Sequence, residues 1–312
     1  MFRLLSGVFL GWSLGANDAA NVFGTAVASR MIKFSVAATI IAIFVVLGAV
    51  LQGAGGMKTL GGLTSQDLNS AFISSFAAAV TVTIMTYLSL PVSTSQSVVG
   101  AILGIGLALH QDINWEGLQK VVFCWVGNPL GAMFISFSLY KLFRYILGKV
   151  KLNILLLNTI IKWGLLVSGA YGAYALGGNS VANVTGVFAR AGLITVRWAT
   201  IIGSLSIALG AITYSKRVMM TVGSGLVALD GFSAFVAVLS EAITIHIYVA
   251  IGVPVSTSQA IVGAVLGIGI AVGARSVNNR TLINIVLGWL ATPLIAGIVA
   301  AIMIKLWGAF LL

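Results

Sequence analysis

The chain has 312 residues, of which 59% are hydrophobic and only 7% charged, and its mean hydropathy is +1.10. That composition excludes a soluble globule, in which about a quarter of the residues carry charge. The net charge of +11 would suggest nucleic acid in a soluble protein, but the 17 Lys and Arg fall mostly at the ends of apolar runs, where they report orientation in a membrane; no nucleic-acid partner is expected.

Apolar runs close to the length that crosses a bilayer as helix occur at 4–28, 34–54, 68–88, 93–109, 117–147, 155–188, 197–215, 227–250, 255–272 and 281–311. They are continuous and rich in Leu, Ile, Val, Ala and Gly, whereas a spanning barrel alternates apolar and polar residues over about ten positions. The expected fold is an all-α polytopic membrane protein embedded in the lipid bilayer. The first run continues through Asn17-Asp18 without a small-residue cleavage context, so it reads as a membrane helix and not as a signal peptide. The single Cys124 excludes an intrachain disulfide.

The first run carries Gly15-Ala16-Asn17-Asp18-Ala19-Ala20-Asn21. An intramembrane carboxylate costs a few kcal/mol unless it faces a partner or water, so Asp18 marks a site. Its neighbours Asn17 and Asn21, four apart, share a helix face if the helix continues, while Gly15 and Ala16 permit a break that would expose carbonyls. Such oxygens suit Na⁺ or a proton-carrying site. A close-packed helix face with interhelical hydrogen bonds would explain the same residues.

The runs 68–88 and 93–109 read as a re-entrant hairpin, with Pro91-Val92-Ser93-Thr94-Ser95-Gln96 at its tip near the midplane. The same phrase returns as Pro254-Val255-Ser256-Thr257-Ser258-Gln259, and 13 of 16 positions agree between 91–106 and 254–269. Pro91 and Pro254 suit the first turn of a helix, and the hydroxyls and free N–H groups that follow would receive a tetrahedral oxyanion. Ordinary Ser capping accounts for one copy. It does not account for Gln96 and Gln259 repeating in hydrocarbon.

Other landmarks repeat in the same order. Gly177-Gly178-Asn179-Ser180-Val181-Ala182-Asn183 answers the first signature, Asp230 answers Asp67, and Trp289 to Leu294 answers Trp125 to Leu130. The expected organisation is two homologous halves, 1–150 and 151–312. Each holds five runs, an odd number, so the second half should enter the bilayer from the opposite side as an inverted repeat. Arg30, Lys33, Lys141, Arg144, Lys149, Lys151, Lys216, Arg217, Arg275 and Arg280 fall on one side. Arg3, Lys58, Lys120, Arg190, Arg197 and Lys305 fall on the other, with Asp67, Asp112 and Glu116. The richer side should be cytoplasmic, placing both termini outside. Lys162, inside a run, stays unassigned.

Glu241 is a second intramembrane carboxylate, with His246 five residues on; their counterparts are Ala78 and Thr83. They read either as a proton or cation relay or as a buried Glu beside a donor. No basic residue falls within the repeated motifs, so an anion there would rely on neutral donors, helix dipoles and co-bound cations. If Asp18 touches the anion, a protonated phosphate is favoured over sulfate.

The Gly15 to Asn21 phrase resembles the Gly-Ala-Asn-Asp-x-Ala-Asn signature of the inorganic phosphate transporter family, and the paired Pro-x-Ser-Thr phrases resemble its second repeated motif. The likeness covers both halves. It implies secondary active uptake of inorganic phosphate with Na⁺ or H⁺, inverted repeats with broken helices, and extracellular termini. By position, phosphate would meet Asp18, Ser93, Thr94, Ser95, Ser256, Thr257 and Ser258. Cations would meet Asn17, Asp18, Asn21, Gln96, Asn179, Ser180, Asn183, Gln259 and Glu241, with Na⁺ itself at Asn17, Asp18, Asn21, Asn179 and Asn183. Two departures stand out: Ser180 where many members have Asp, and Gln96 and Gln259 where many have His. Losing both His favours Na⁺ over H⁺.

The expectation is a Na⁺-coupled phosphate symporter of the cell membrane with no further cofactor and no enzymatic activity, possible as a homodimer. A proton-coupled phosphate or sulfate permease on the same scaffold is the alternative. An intramembrane hydrolase would need a second catalytic group beside Asp18, and Ser180 removes it. An anion channel would need no cation gradient.

Overall fold

The computed structural model describes residues 2–87, 92–150, 153–225, 229–273 and 279–311; Pro91, Lys151 and Arg275 lie outside them. Among the described residues twelve helices follow one another: α1 Leu4–Ala28, α2 Phe34–Gln52, α3 Ala54–Gly61, α4 Leu68–Tyr87, α5 Thr94–Ala108, α6 Trp115–Lys149, α7 Ile154–Arg190, α8 Val196–Thr213, α9 Ser215–Gly225, α10 Gly231–Ile251, α11 Thr257–Val272 and α12 Asn279–Leu311. Each of the ten expected runs coincides with a helix among the described residues. The two additions, α3 and α9, are short and too polar or Gly-rich to register as apolar runs.

Among the described residues seven helices are long and apolar enough to cross a membrane. At 15 and 16 residues, α5 and α11 reach only about 23 Å by helical rise, short of a ~30 Å hydrocarbon core. Each packs against the helix before it, α5 on α4 and α11 on α10, as a hairpin whose apex lies inside the protein. Asp67 and Asp230 start these hairpins. Their carboxylates accept the N–H of Ser70 at 2.8 Å and of Ser233 at 2.7 Å, N-caps that explain why these aspartates repeat.

Contacts come in matched pairs that cross from one series of six helices to the other. α5 lies on α12 and α11 on α6; α2 lies on α7 and α8 on α1; α3 lies on α7 and α9 on α1. Glycine makes two of these crossings possible. A Cβ on Gly15 would strike the Ile207 carbonyl of α8, and one on Gly177 would strike the Val45 carbonyl of α2. Close approach, and not a helix break, is therefore what these glycines supply: α1 and α7 run unbroken through both signatures. The breaks fall at the hairpin apices. Pro254 is likewise not in a first turn, since the cap is Ser256 and α11 begins at Thr257.

Three sets of charged ends have neighbours from their own expected side. Arg3 lies within electrostatic range of Asp67, Arg190 packs on Gly61 of the Lys58 helix, and the Lys216 ammonium sits 5.8 Å from the Phe34 ring centre beside Lys33.

Candidate functional site

The two hairpin apices meet. Ser93 and Ser256 cap α5 and α11, their hydroxyl oxygens accepting the N–H of Gln96 and Gln259, each at 3.3 Å. Capping, the plainer reading of these serines, is thus correct for both. One residue into the first turn, the roles change: the Ser95 hydroxyl donates to Val255 O at 2.9 Å, and the Ser258 hydroxyl donates to Val92 O at 2.8 Å. Each repeated phrase holds the other. The N–H groups of Ser97 and Ala260 close the first intrahelical bonds. Those of Thr94, Ser95, Thr257 and Ser258 have no protein acceptor among the described residues, and such orphan donors at the positive end of a helix suit an anion.

α1 and α7 bring their signatures against this junction. Asn179 clamps the second apex through both ends of its amide, accepting Val255 N–H and donating to Val255 O, each at 2.9 Å. Asn183 donates to Ser95 Oγ at 2.9 Å, and Asn21 donates to Thr257 Oγ1 at 3.1 Å. The Asp18 carboxylate lies near the hydroxyls of Thr257 and Thr94, one from each apex, and Thr94 Oγ1 is buried without a hydrogen-bond partner among the described residues. Thr257 thus accepts from Asn21 on the same side of the junction as Asp18. Ser180, which answers Asp18 in the sequence, is fully buried and takes only a 3.4 Å contact from Asn179. Asn17 turns away, donating to Thr86 Oγ1 of α4 at 2.8 Å.

Apart from Asn17 and Ser258, which are half-buried, no side chain of this cluster exceeds 6% exposure, so the site is buried inside the protein. Within it several oxygens have no donor among the described residues: Gln96 Oε1, Gln259 Oε1, Asn183 Oδ1, Asn128 Oδ1 and Glu241 Oε2. Buried acceptors without donors are costly, and a cation would satisfy them. The donor set is hard oxygen, mostly neutral, around one or two carboxylates. Glu241 lies within electrostatic range of Asp18. The residues present thus fit Na⁺, with Gln96, Asn183 and Glu241 offering free oxygens and Asn179 already committed to backbone.

Glu241 and His246 do not form a pair. Five residues along a helix turn side chains about 140° apart, and His246 goes to α7, where its Nδ1 lies 2.7 Å from Tyr171 Oη and its ring meets Tyr174 edge-on. Asn128 is the residue that the sequence reading missed. Fully buried on α6, it donates to Ser256 O at 2.7 Å and keeps its own oxygen free. Its place beside Pro129 in the repeated Trp block was the available signal.

The phosphate transporter family model matches residues 14–300. A candidate phosphate permease of Methanocaldococcus jannaschii is 33% identical over 96% of this chain and 95% of its own length. The sulfate permease CysP of Bacillus subtilis is 29% identical over 97% of this chain and 87% of its own. A solved structure, that of a sodium-dependent phosphate transporter, superposes with a TM-score of 0.89 at 26% identity, covering 98% of this chain and 100% of the other. The chain belongs to the phosphate transporter family, and is a multi-span membrane transporter and not an enzyme.

Proposed function

We propose that this chain imports inorganic phosphate by symport with Na⁺, through alternating access at the joined apices. The moving parts are two inverted halves, 1–150 and 151–312, with both termini on the extracytoplasmic side of the cell membrane. The matched, crossing helix contacts support the two halves, and the positive-inside count supports the orientation. The observation that carries the reading is the crossed Ser95–Val255 and Ser258–Val92 pair, which brings two helix N-termini together beside Asp18 with neutral oxygens still unsatisfied.

The chemistry divides naturally. Orphan N–H groups of the two first turns receive phosphate, and Thr94 and Thr257 stand between it and Asp18. A cation on Asp18 and the free amide oxygens offsets the carboxylate, which would otherwise repel an anion, so neither ion binds well alone. That interdependence is coupling. No cofactor beyond the coupling ion is required.

Purified protein in proteoliposomes tests this with labelled phosphate. Uptake should follow an inward Na⁺ gradient, stay low under a pH gradient alone, and resist excess sulfate. Uptake driven only by the pH gradient, or sulfate uptake in place of phosphate, would establish the second reading, a proton-coupled permease, which the CysP relative and the buried Glu241 favour.

A further inference from the structure

Away from the site, α5 and α12 run side by side in the same direction, Gly100 meeting Pro293 and Gly104 meeting Gly297. Between their outer faces lies a groove of about 600 Å³, walled by Leu103, Leu107, Leu294, Ile298 and Ala301 and closed at one end by Lys305. We propose that this groove binds one acyl chain of an anionic phospholipid, with the headgroup phosphate at the Lys305 ammonium.

Three observations select that occupant. The first is length. Pro293 to Lys305 spans about 18 Å by helical rise, close to the ~15 Å of one leaflet of hydrocarbon, so a chain beginning at Lys305 would end beside Pro293 near the midplane. The second is level. Trp307, partly exposed two residues past Lys305, is the residue type that anchors at the headgroup layer, and a lysine there lays its stem along apolar surface with its charge outward. The third is the contrast with the corresponding face of α6. There Met133 stands for Gly297, Phe137 for Ala301 and Lys141 for Lys305, and the Lys141 ammonium is engaged over the Phe137 ring at 5.8 Å. Side-chain bulk and an aromatic partner occupy one face; the other offers a groove and a cation of the same pattern.

The groove wall is α5, whose other end is the Ser93–Gln96 apex, so a seated chain would brace a helix of the transport site from behind.

Native mass spectrometry of the detergent-purified transporter, titrated with phosphatidylglycerol or phosphatidylcholine, tests the proposal. Wild type should hold one phosphatidylglycerol more than Ala301→Phe, and Lys305→Gln should lose about fivefold of the preference for phosphatidylglycerol, the worth of one lysine at an anionic headgroup. Equal phosphatidylglycerol occupancy in wild type and Ala301→Phe overturns it, as does an unchanged preference in Lys305→Gln, a surface change that decides the matter where Ala301→Phe does not fold. A wild-type dimer that Ala301→Phe dissociates would give the groove to a second copy and also overturn it.

Discussion

The Ser95 hydroxyl donates to the Val255 carbonyl 2.9 Å away and 160 residues on, and Ser258 returns the same bond to Val92 at 2.8 Å. Both bonds are made between apices that belong to different hairpins. Any motion that separates the hairpins must break them, so they are a latch between the two apices.

Loss of the latch should be unequal. Ser95→Ala removes the bond to Val255 and also the acceptor for Asn183, whereas Ser258→Ala removes the bond to Val92 and a contact with Ser256. Val255 O keeps Asn179 as a donor, but Ser95→Ala leaves the buried Asn183 amide without that acceptor and Ser258→Ala leaves the Val92 carbonyl without that donor, and a buried polar group so orphaned costs about 1–3 kcal/mol. Thermal melting in detergent should fall for both and further for Ser95→Ala. The double variant should fall by less than the sum, because the second bond is weakened once the first is gone. Unchanged melting in both would mean that the apices are not docked in solution.

Asp18→Asn keeps an oxygen near Thr257 and Thr94 but removes the charge. Charge-assisted hydrogen bonds and ion contacts of this kind are worth about 1.5–3 kcal/mol, so the apparent Na⁺ affinity for driving phosphate uptake should fall about 10- to 100-fold. Uptake assayed against Na⁺ concentration at saturating phosphate reads this directly. A variant with unaltered Na⁺ dependence would remove Asp18 from the cation site.

What the sequence disclosed and what it hid divide along physical lines. Hydrophobicity over 15 to 35 residues is a strong, local signal, so the ten apolar helices were legible. The hydroxyls and amides of the repeated phrases were legible as a cluster because polar groups in hydrocarbon need a reason. Their individual assignments were not. Asn17 and Asn179 occupy equivalent positions, yet one bonds Thr86 and the other clamps Val255, a difference set by which apex each helix happens to reach. Glycine was ambiguous for a similar reason: Gly15 is compatible with a broken helix or with a close crossing, and only the position of α8 decides. Asn128 stayed hidden because one polar residue in a long apolar helix has many possible partners.

That close crossing can be tested at one atom. Gly15→Ala would place a methyl group into the Ile207 backbone, which no rotamer change relieves, whereas a Cβ at Gly148, also helical, meets open space. Overpacking costs about 1–3 kcal/mol, so Gly15→Ala should lower melting and yield, while Gly148→Ala should be neutral or raise stability by about 0.5–1 kcal/mol. Equal behaviour of the two variants would show that α1 and α8 do not touch as described.

Asp67 supplies a pH-dependent term outside the spans. Burial acts to raise its pKa, but the Ser70 side chain, the N–H groups of Ser70 and Asn69 and the charge of Arg3 outweigh it and hold the carboxyl below its ordinary range. A carboxylate depressed in the folded state stabilises above its unfolded pKa of about 3.9 and loses that contribution as pH falls through the folded value. The melting temperature of wild type should therefore decline more steeply below about pH 4 than that of Asp67→Asn, which keeps a capping oxygen but does not titrate. The difference should be small, since Asp67 is exposed and its charge contacts are screened, and smaller still in high salt. Parallel melting curves from pH 6 to pH 3 would show that the cap of α4 works through its hydrogen bond alone.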